Sequence, residues 1–374
     1  MAPAPLTEAN VRHLLRRTEF VDRPHRVAEL LELADLDAAV ANILAVDPAP
    51  PSVIFTAPAD RDWERGRDLT HFWLDRMARD SARPFQERMA FFWHGHFCSE
   101  FGKVGSSMLM REQIDLWRSE GLANIRSLAT TMSTQVAMIR YLDNNQNKKS
   151  SPNQNFAREL MELFLLGVGN YTEADVEAST AAWTGHSDQW DDEVAPYRWR
   201  PEWHDSSSKD FLGRRINTDA DPAAWPGHGP ETIAVMLGDG IVPPGADDVA
   251  NRGRPTRAVA AEFLSRKLWT SFATDRPPPP GVMTAMRDAL LADDFDVRPW
   301  VTAMLTHPDF YTDAVRRGLV RTPVEFVVAL LAATGKRSRE ADTTWLMEAM
   351  GQPLLYPPNV SGWRPNGYWV NASA

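Results

Sequence analysis

The sequence predicts a mostly α protein: one large helical domain over residues 1 to 374, with a single long irregular insertion at residues 185 to 256 that includes a short strand or hairpin. Three observations predict it. Apolar residues recur at helical spacing through most of the chain. Helix start signals stand before several of those runs. Pro, Gly, Trp and Asp gather with little periodicity in the middle segment. A chain of 374 residues can form one big domain or two ordinary ones. No repeat and no low-complexity linker divides this one, so it reads as a single unit.

Residues 7 to 45 alternate short helices with breaks, and Thr7 is placed as the first N-cap. Prolines 48, 50, 51 and 58 mark a loop. Residues 61 to 97 give two helices separated near Pro84, the second carrying "FWHGHF". Residues 108 to 142 give two more with a break near Gly121. Residues 151 to 168 are read as a helix with Pro152 in its first turn. Residues 172 to 184 follow, with Thr172 as cap and Glu173 and Asp175 in the first turn. The insertion comes next, and within it "YRWRPEWHD" alternates enough for a strand or hairpin. Helices return at 257–273, 281–292, 297–306, 323–335 and 341–350, with a stiff "RPPPP" connector at 276–280. The C-terminal "GQPLLYPPNVSGWRPNGYW" is loop. An excursion of about 70 residues is long for an idle loop, and such segments usually fold over a site.

Composition excludes several classes. The net charge of -10 argues against a nucleic-acid binder, which needs a basic face. With one cysteine, Cys98, there is neither an internal disulfide nor a cysteine-based zinc cluster. No run of 18 apolar residues exists to span a membrane. The first 20 residues lack the apolar core of a signal peptide, which points to the cytoplasm without excluding export. No nucleophile elbow, Walker loop or dinucleotide fingerprint is present.

The chemistry-bearing residues cluster in "PNQNFARELMELFLLGVG". Asn155, Glu159 and Glu162 fall at i, i+4 and i+7 on one helix face, and Arg158 beside them can reach Glu162. Phe156, Leu160, Leu163 and Phe164 form a separate apolar face, which makes the helix largely buried. Carboxylates in such a setting need cations, donors or a metal. They are equally explained by structural ion pairs or by a face turned to water. His94 and His96 lie two apart, and they can converge if Gly95 ends their helix. Otherwise they are two core histidines. Asp143 and Asn144 sit at a helix end, where such residues cap and turn. His204, Asp205 and Lys209 lie on the insertion, while His186, His228 and His307 look incidental.

The order of "HLLRRTEF", "FWHGHF", "YLDNNQN", "PNQNFARELMELFLLGVGNYTEADV", "AAWTGH", "WHDSSSKDFLG" and "MGQPLLYPPNVSGW" resembles a bacterial family known only as a domain of unknown function, number eighteen hundred. The resemblance covers nearly the whole chain. It implies a predominantly helical fold and brings no settled activity. It also implies frequent export, and a partner protein resembling phosphatases and sulfatases. Position by position, it places the family's His-x-His at His94 and His96. Its Asn-x-x-Ala-Arg-Glu-Leu-x-Glu core falls on Asn155 to Glu162, and its His-Asp on His204 and Asp205, followed by Lys209. Phe164 stands where many relatives carry His, and Ser207 where they carry Gly.

Two functional expectations follow. One is a metal-assisted hydrolase of a phosphate, sulfate or glycan-type substrate. His94, His96, Glu159 and His204 (or Asp205) would hold a divalent Zn, Mn or Fe ion. Glu162, Glu159 and Asp205 would serve catalysis, and Asn155, Arg158, Asp143, Asn144 and Lys209 would contact substrate. Without metal, the carboxylates could form the acid and base pair of a glycosidase. The other expectation is a non-catalytic scaffold or carbohydrate- or partner-binding protein, its polar cluster a satisfied structural network.

Overall fold

The computed structural model describes residues 4–189, 196–364 and 366–370. It is about 56% helical, with two small sheets among the described residues, the mostly α fold that the sequence predicts. The N-terminal region holds α1 (Glu8–Thr18), α2 (Pro24–Leu31) and α3 (Leu36–Ile43). The Thr7 side chain caps α1 by accepting from the Asn10 amide, and Asp35 caps α3 in the same way. The centre is built on α4 (Asp62–Asp75), α5 (Pro84–His96), α6 (Phe101–Val104), α7 (Ser107–Glu120), α8 (Ile125–Thr134) and α9 (Val136–Tyr141).

The next helix, α10 (Asn155–Glu159), passes directly into one π-helical stretch, Leu160–Leu165. Pro152 lies ahead of this helix and not in its first turn. Asn147 accepts the Asn153 amide and sets that lead-in as an extended loop. Thr172 and Asp175 then form a reciprocal capping box that starts α11 (Glu173–Ala182).

The insertion contains two hairpins. Strands β1 (His186–Asp188) and β2 (Tyr197–Trp199) pair antiparallel, with His186 opposite Trp199. Strands β3 (Lys209–Phe211) and β4 (Arg214–Ile216) do likewise, with Phe211 opposite Arg214. Their two-residue turn, Leu212 and Gly213, has positive φ at both positions (47° and 74°), which the mirror-image hairpin turn demands. Leucine is an unusual occupant. Its amide donates to Asp175 at 2.7 Å and its side chain is fully buried, and these contacts hold the conformation. The segment also contains a helix that the sequence pattern did not suggest, α12 (His228–Met236).

The C-terminal third is α13 (Thr256–Phe272), α14 (Pro280–Ala292), α15 (Val297–Leu305), α16 (Asp313–Arg316), α17 (Pro323–Thr334) and α18 (Thr343–Ala349). One apolar cluster runs from Ala4 to Leu355 and includes residues from both ends of the chain. Trp73, Trp93, Trp117, Trp183, Trp269 and Trp300 are fully buried in it. At its middle, the buried Glu87 accepts from Arg118 (2.9 and 3.0 Å), Arg76 and Trp73, a closed polar set inside hydrocarbon.

Candidate functional site

The polar edge of α10 is half-buried, not sunk. Arg158 does not reach back to Glu162. It makes two 2.8 Å bonds to Glu173 and a third, 3.1 Å, to Gln154. The helix starts at Asn155, four residues later than the sequence suggests, and the π-helical stretch widens the turn, so simple i, i+4 pairing fails. Glu162 accepts from the Tyr171 hydroxyl at 2.7 Å. Asn155 donates to the Leu142 carbonyl.

Asp143 sits in a left-handed conformation and pairs with Lys103 at 2.8 Å. Asn144 and Asn147 are buried and donate to the Trp183 and Thr180 carbonyls, clamping residues 143–154 onto the end of α11. Of the polar residues on this edge, Asn155, Arg158, Glu159 and Glu162, only Glu159 makes no hydrogen bond or ion pair among the described residues. Burial and repulsion from Glu162 raise its pKa, against a smaller opposing pull from Arg158.

The two histidines of "HGH" do not converge. The helix continues through Gly95 to His96, and adjacent-but-one residues on a helix face apart. His94 lies among Trp73, Trp117 and Trp363, with ring centroids 5.2 to 5.6 Å away, and neither ring nitrogen has a partner among the described residues. His96 stacks on Phe92, and its Nε2 donates to the Phe164 carbonyl at 2.9 Å. Burial pushes both imidazoles down to about 3, so both are neutral. The C-terminal "SGW" docks on this motif. A Cβ at Gly362 would lie 2.6 Å from the Gly95 carbonyl oxygen, so only glycine fits there.

His204 belongs to a different cluster. Its Nδ1 lies 2.9 Å from the Thr184 carbonyl, which makes Nδ1 the donor and Nε2 the acceptor. That Nε2 lies 3.0 Å from His228 Nδ1, which must then carry the proton. His186, opposite Trp199, shares the neighbourhood and lies 2.9 Å from the Tyr197 hydroxyl. Burial depresses all three imidazoles, His186 to about 3. His228, which the sequence left as incidental, is thus the partner of His204, and His186, also left as incidental, meets the Trp199 ring that His204 touches as well. A His beside Gly in "TGH" and "PGHG", amid tryptophans, was the available signal. Asp205 bonds Ser207 and pairs with Lys209 at 3.1 Å, closing its own loop.

The expected metal ligands therefore stand in separate places. Among the described residues, no three His, Cys, Asp or Glu side chains are grouped to hold a metal ion. The residues present do not fit the His94, His96, Glu159 and His204 centre.

A more open site lies elsewhere. A groove of about 610 Å3 runs between α4, α18 and the segment Pro353–Tyr356. Trp63, Trp345 and Tyr356 border it with 58%, 65% and 42% of their surface exposed. Arg67, Asp342 and Glu348 also line it, and Arg67 and Asp342 stand 4.0 Å apart. Gly66 explains how the groove is shaped. A Cβ there would lie 2.7 Å from the Phe101 ring. Phe101 in turn meets Tyr356 edge-on at 5.7 Å, and its amide donates to the Leu355 carbonyl. The absent side chain lets one wall dock against the other. The number of tryptophans allows a sugar- or partner-binding surface, but the place of this groove is not legible, because helical spacing does not distinguish a tryptophan at the surface from one in the core.

A family model described as "Protein of unknown function (DUF1800)" matches residues 13–374. The chain belongs to the DUF1800 family. No curated protein and no solved structure matches it. In this DUF1800 chain, the family-like stretches "HGH" and "NVSGW" meet in the core, and "YLDNNQN" and "AAWTGH" meet at the asparagine clamp. Among the described residues, no helix is long and apolar enough to cross a membrane.

Proposed function

We propose that this protein binds carbohydrate in the groove between α4 and α18. The observation that carries the reading is the trio of exposed aromatic rings, Trp63, Trp345 and Tyr356, around one groove that also presents charged groups. Six tryptophans fill the core, so two left standing in solvent beside a concavity call for a ligand. Flat apolar rings match the C–H faces of pyranoses. Arg67, Asp342 and Glu348 match their hydroxyls as donors and acceptors. The polar residues of α10 and of the 143–147 turn then serve chiefly to hold the fold, since most already have protein partners. Intrinsic tryptophan fluorescence, titrated with a panel of β-linked and α-linked oligosaccharides, tests this. Saturable quenching or enhancement lost on Trp63→Ala and Trp345→Ala supports it, and a flat response to every sugar overturns it.

One observation favours a second reading, hydrolysis of a glycan-type substrate. Glu159 is half-buried, lacks a partner and has a raised pKa, as a general acid requires. Glu162, held by Tyr171, is the nearby carboxylate that could act as base or nucleophile. Release of reducing sugar by wild type, abolished in Glu159→Gln, would support it; equal release by that variant would end it.

A further inference from the structure

A second cavity, of about 160 Å3, lies away from the groove, between α5, α13 and the segments on either side of α17 and α18. Its walls are the apolar Phe92, Leu319, Val320 and Trp363. Its charged groups are unbalanced: Arg88, Lys267 and Arg364 face one carboxylate, Glu325. That carboxylate is already committed. It pairs with Arg88 at 2.7 Å and caps the Thr322 amide at 2.8 Å. Arg88 spends its other donors on the Arg17 and Ser271 carbonyls. Lys267 makes no hydrogen bond or ion pair among the described residues. Its ammonium lies over the face of Phe263, 5.4 Å from the ring centroid. Arg364 likewise makes no hydrogen bond or ion pair among the described residues and lies over the Tyr368 ring. His96 also lines the cavity. Because its Nε2–H is given to Phe164, its unpartnered Nδ1 is a free acceptor.

An ammonium group in such surroundings costs stability unless something answers it. Burial already lowers the pKa of Lys267, which is the mark of an unanswered charge. A space of about 150 Å3 lined by apolar side chains takes a molecule the size of benzene. We infer that this cavity binds a small organic carboxylate, its charge on Lys267 with support from Arg364 and its apolar body between Phe92, Leu319, Val320 and Trp363. The inference is independent of the carbohydrate reading. The apolar walls separate this ligand class from inorganic anions, which would leave them uncovered.

Benzoate is the probe, with benzamide as its uncharged match, titrated calorimetrically into the full chain. Benzoate should bind saturably, and benzamide at least about tenfold more weakly, the loss expected when a charge-assisted hydrogen bond is removed. Lys267→Met should weaken benzoate by about tenfold or more. Arg364→Gln should weaken it less, and sulfate should bind more weakly than benzoate. A control needs no variant. In wild-type protein, benzoate should slow acetylation of Lys267, read by mass spectrometry, without slowing that of Lys103. Absence of saturable binding, equal binding of benzamide, or unprotected Lys267 overturns the proposal.

Discussion

Acid should unfold this protein earlier than its carboxylates alone would dictate, and the cause is its buried histidines. His13, His94, His96 and His186 are each pushed down to about 3 by burial. In the unfolded chain each returns to about 6.5. The unfolded state therefore binds more protons below that pH. The stability these neutral rings allow is intact above about 6.5 and falls as pH drops towards about 3. At about pH 5 each ring costs about 2 kcal/mol relative to neutral pH. Four together cost about 8 kcal/mol, comparable with the whole stability of an ordinary domain. That figure is a ceiling, because local opening lets water reach the less enclosed rings. Urea unfolding followed by circular dichroism between about pH 7 and about pH 5 measures the slope. His94→Phe, in a pocket of three indoles, removes one share and should cut the loss over that range by about 2 kcal/mol. A constant unfolding free energy across the range, or an unchanged slope in His94→Phe, would refute the reasoning.

Other outcomes follow from particular contacts. Glu87→Ala strips the buried Arg118 of two bonds and leaves it only Asp115 and the Pro51 carbonyl, and should cost about 3 kcal/mol by chemical denaturation. Gly66→Ala drives a methyl into the Phe101 ring and should cost about 1 to 3 kcal/mol. The same change should weaken sugar binding by displacing Tyr356, which separates it from a mutation that merely destabilises. The folded-state pKa of Glu159 is raised, so its penalty grows as pH rises through the carboxylate range. Glu159→Gln should therefore unfold at a higher temperature than wild type at neutral pH, with the advantage shrinking in acid. Equal melting shifts at both pH values would contradict it.

Local signals carried much of the fold. Thr7 and Thr172 were legible as caps because a hydroxyl before a periodic run answers orphan amides whatever the rest of the chain does. At α17 the helix expected from 323 starts on a capping box of Thr322 and Glu325, which was not singled out from the sequence. The late start of α10 was not legible. Pro152 suits a first helical turn, but Asn147, from a loop anchored on α11, holds the residues after Pro152 extended. The "HGH" motif failed for a related reason. Glycine permits a helix end without imposing one, and here packing under Trp363 and Gly362 keeps the helix going. The partnership of His204 with His228, and the exposure of Trp63 and Trp345, depend on which elements meet in space. Residue spacing carries no record of that.

Binding of oligosaccharide to wild type, Trp63→Ala, Trp345→Ala and the double variant, measured by calorimetry, tests the central claim most directly. Saturable binding that weakens by about tenfold or more with each indole removed, and that is unchanged in Glu162→Gln, is the predicted result. Equal affinity in the double variant would contradict it.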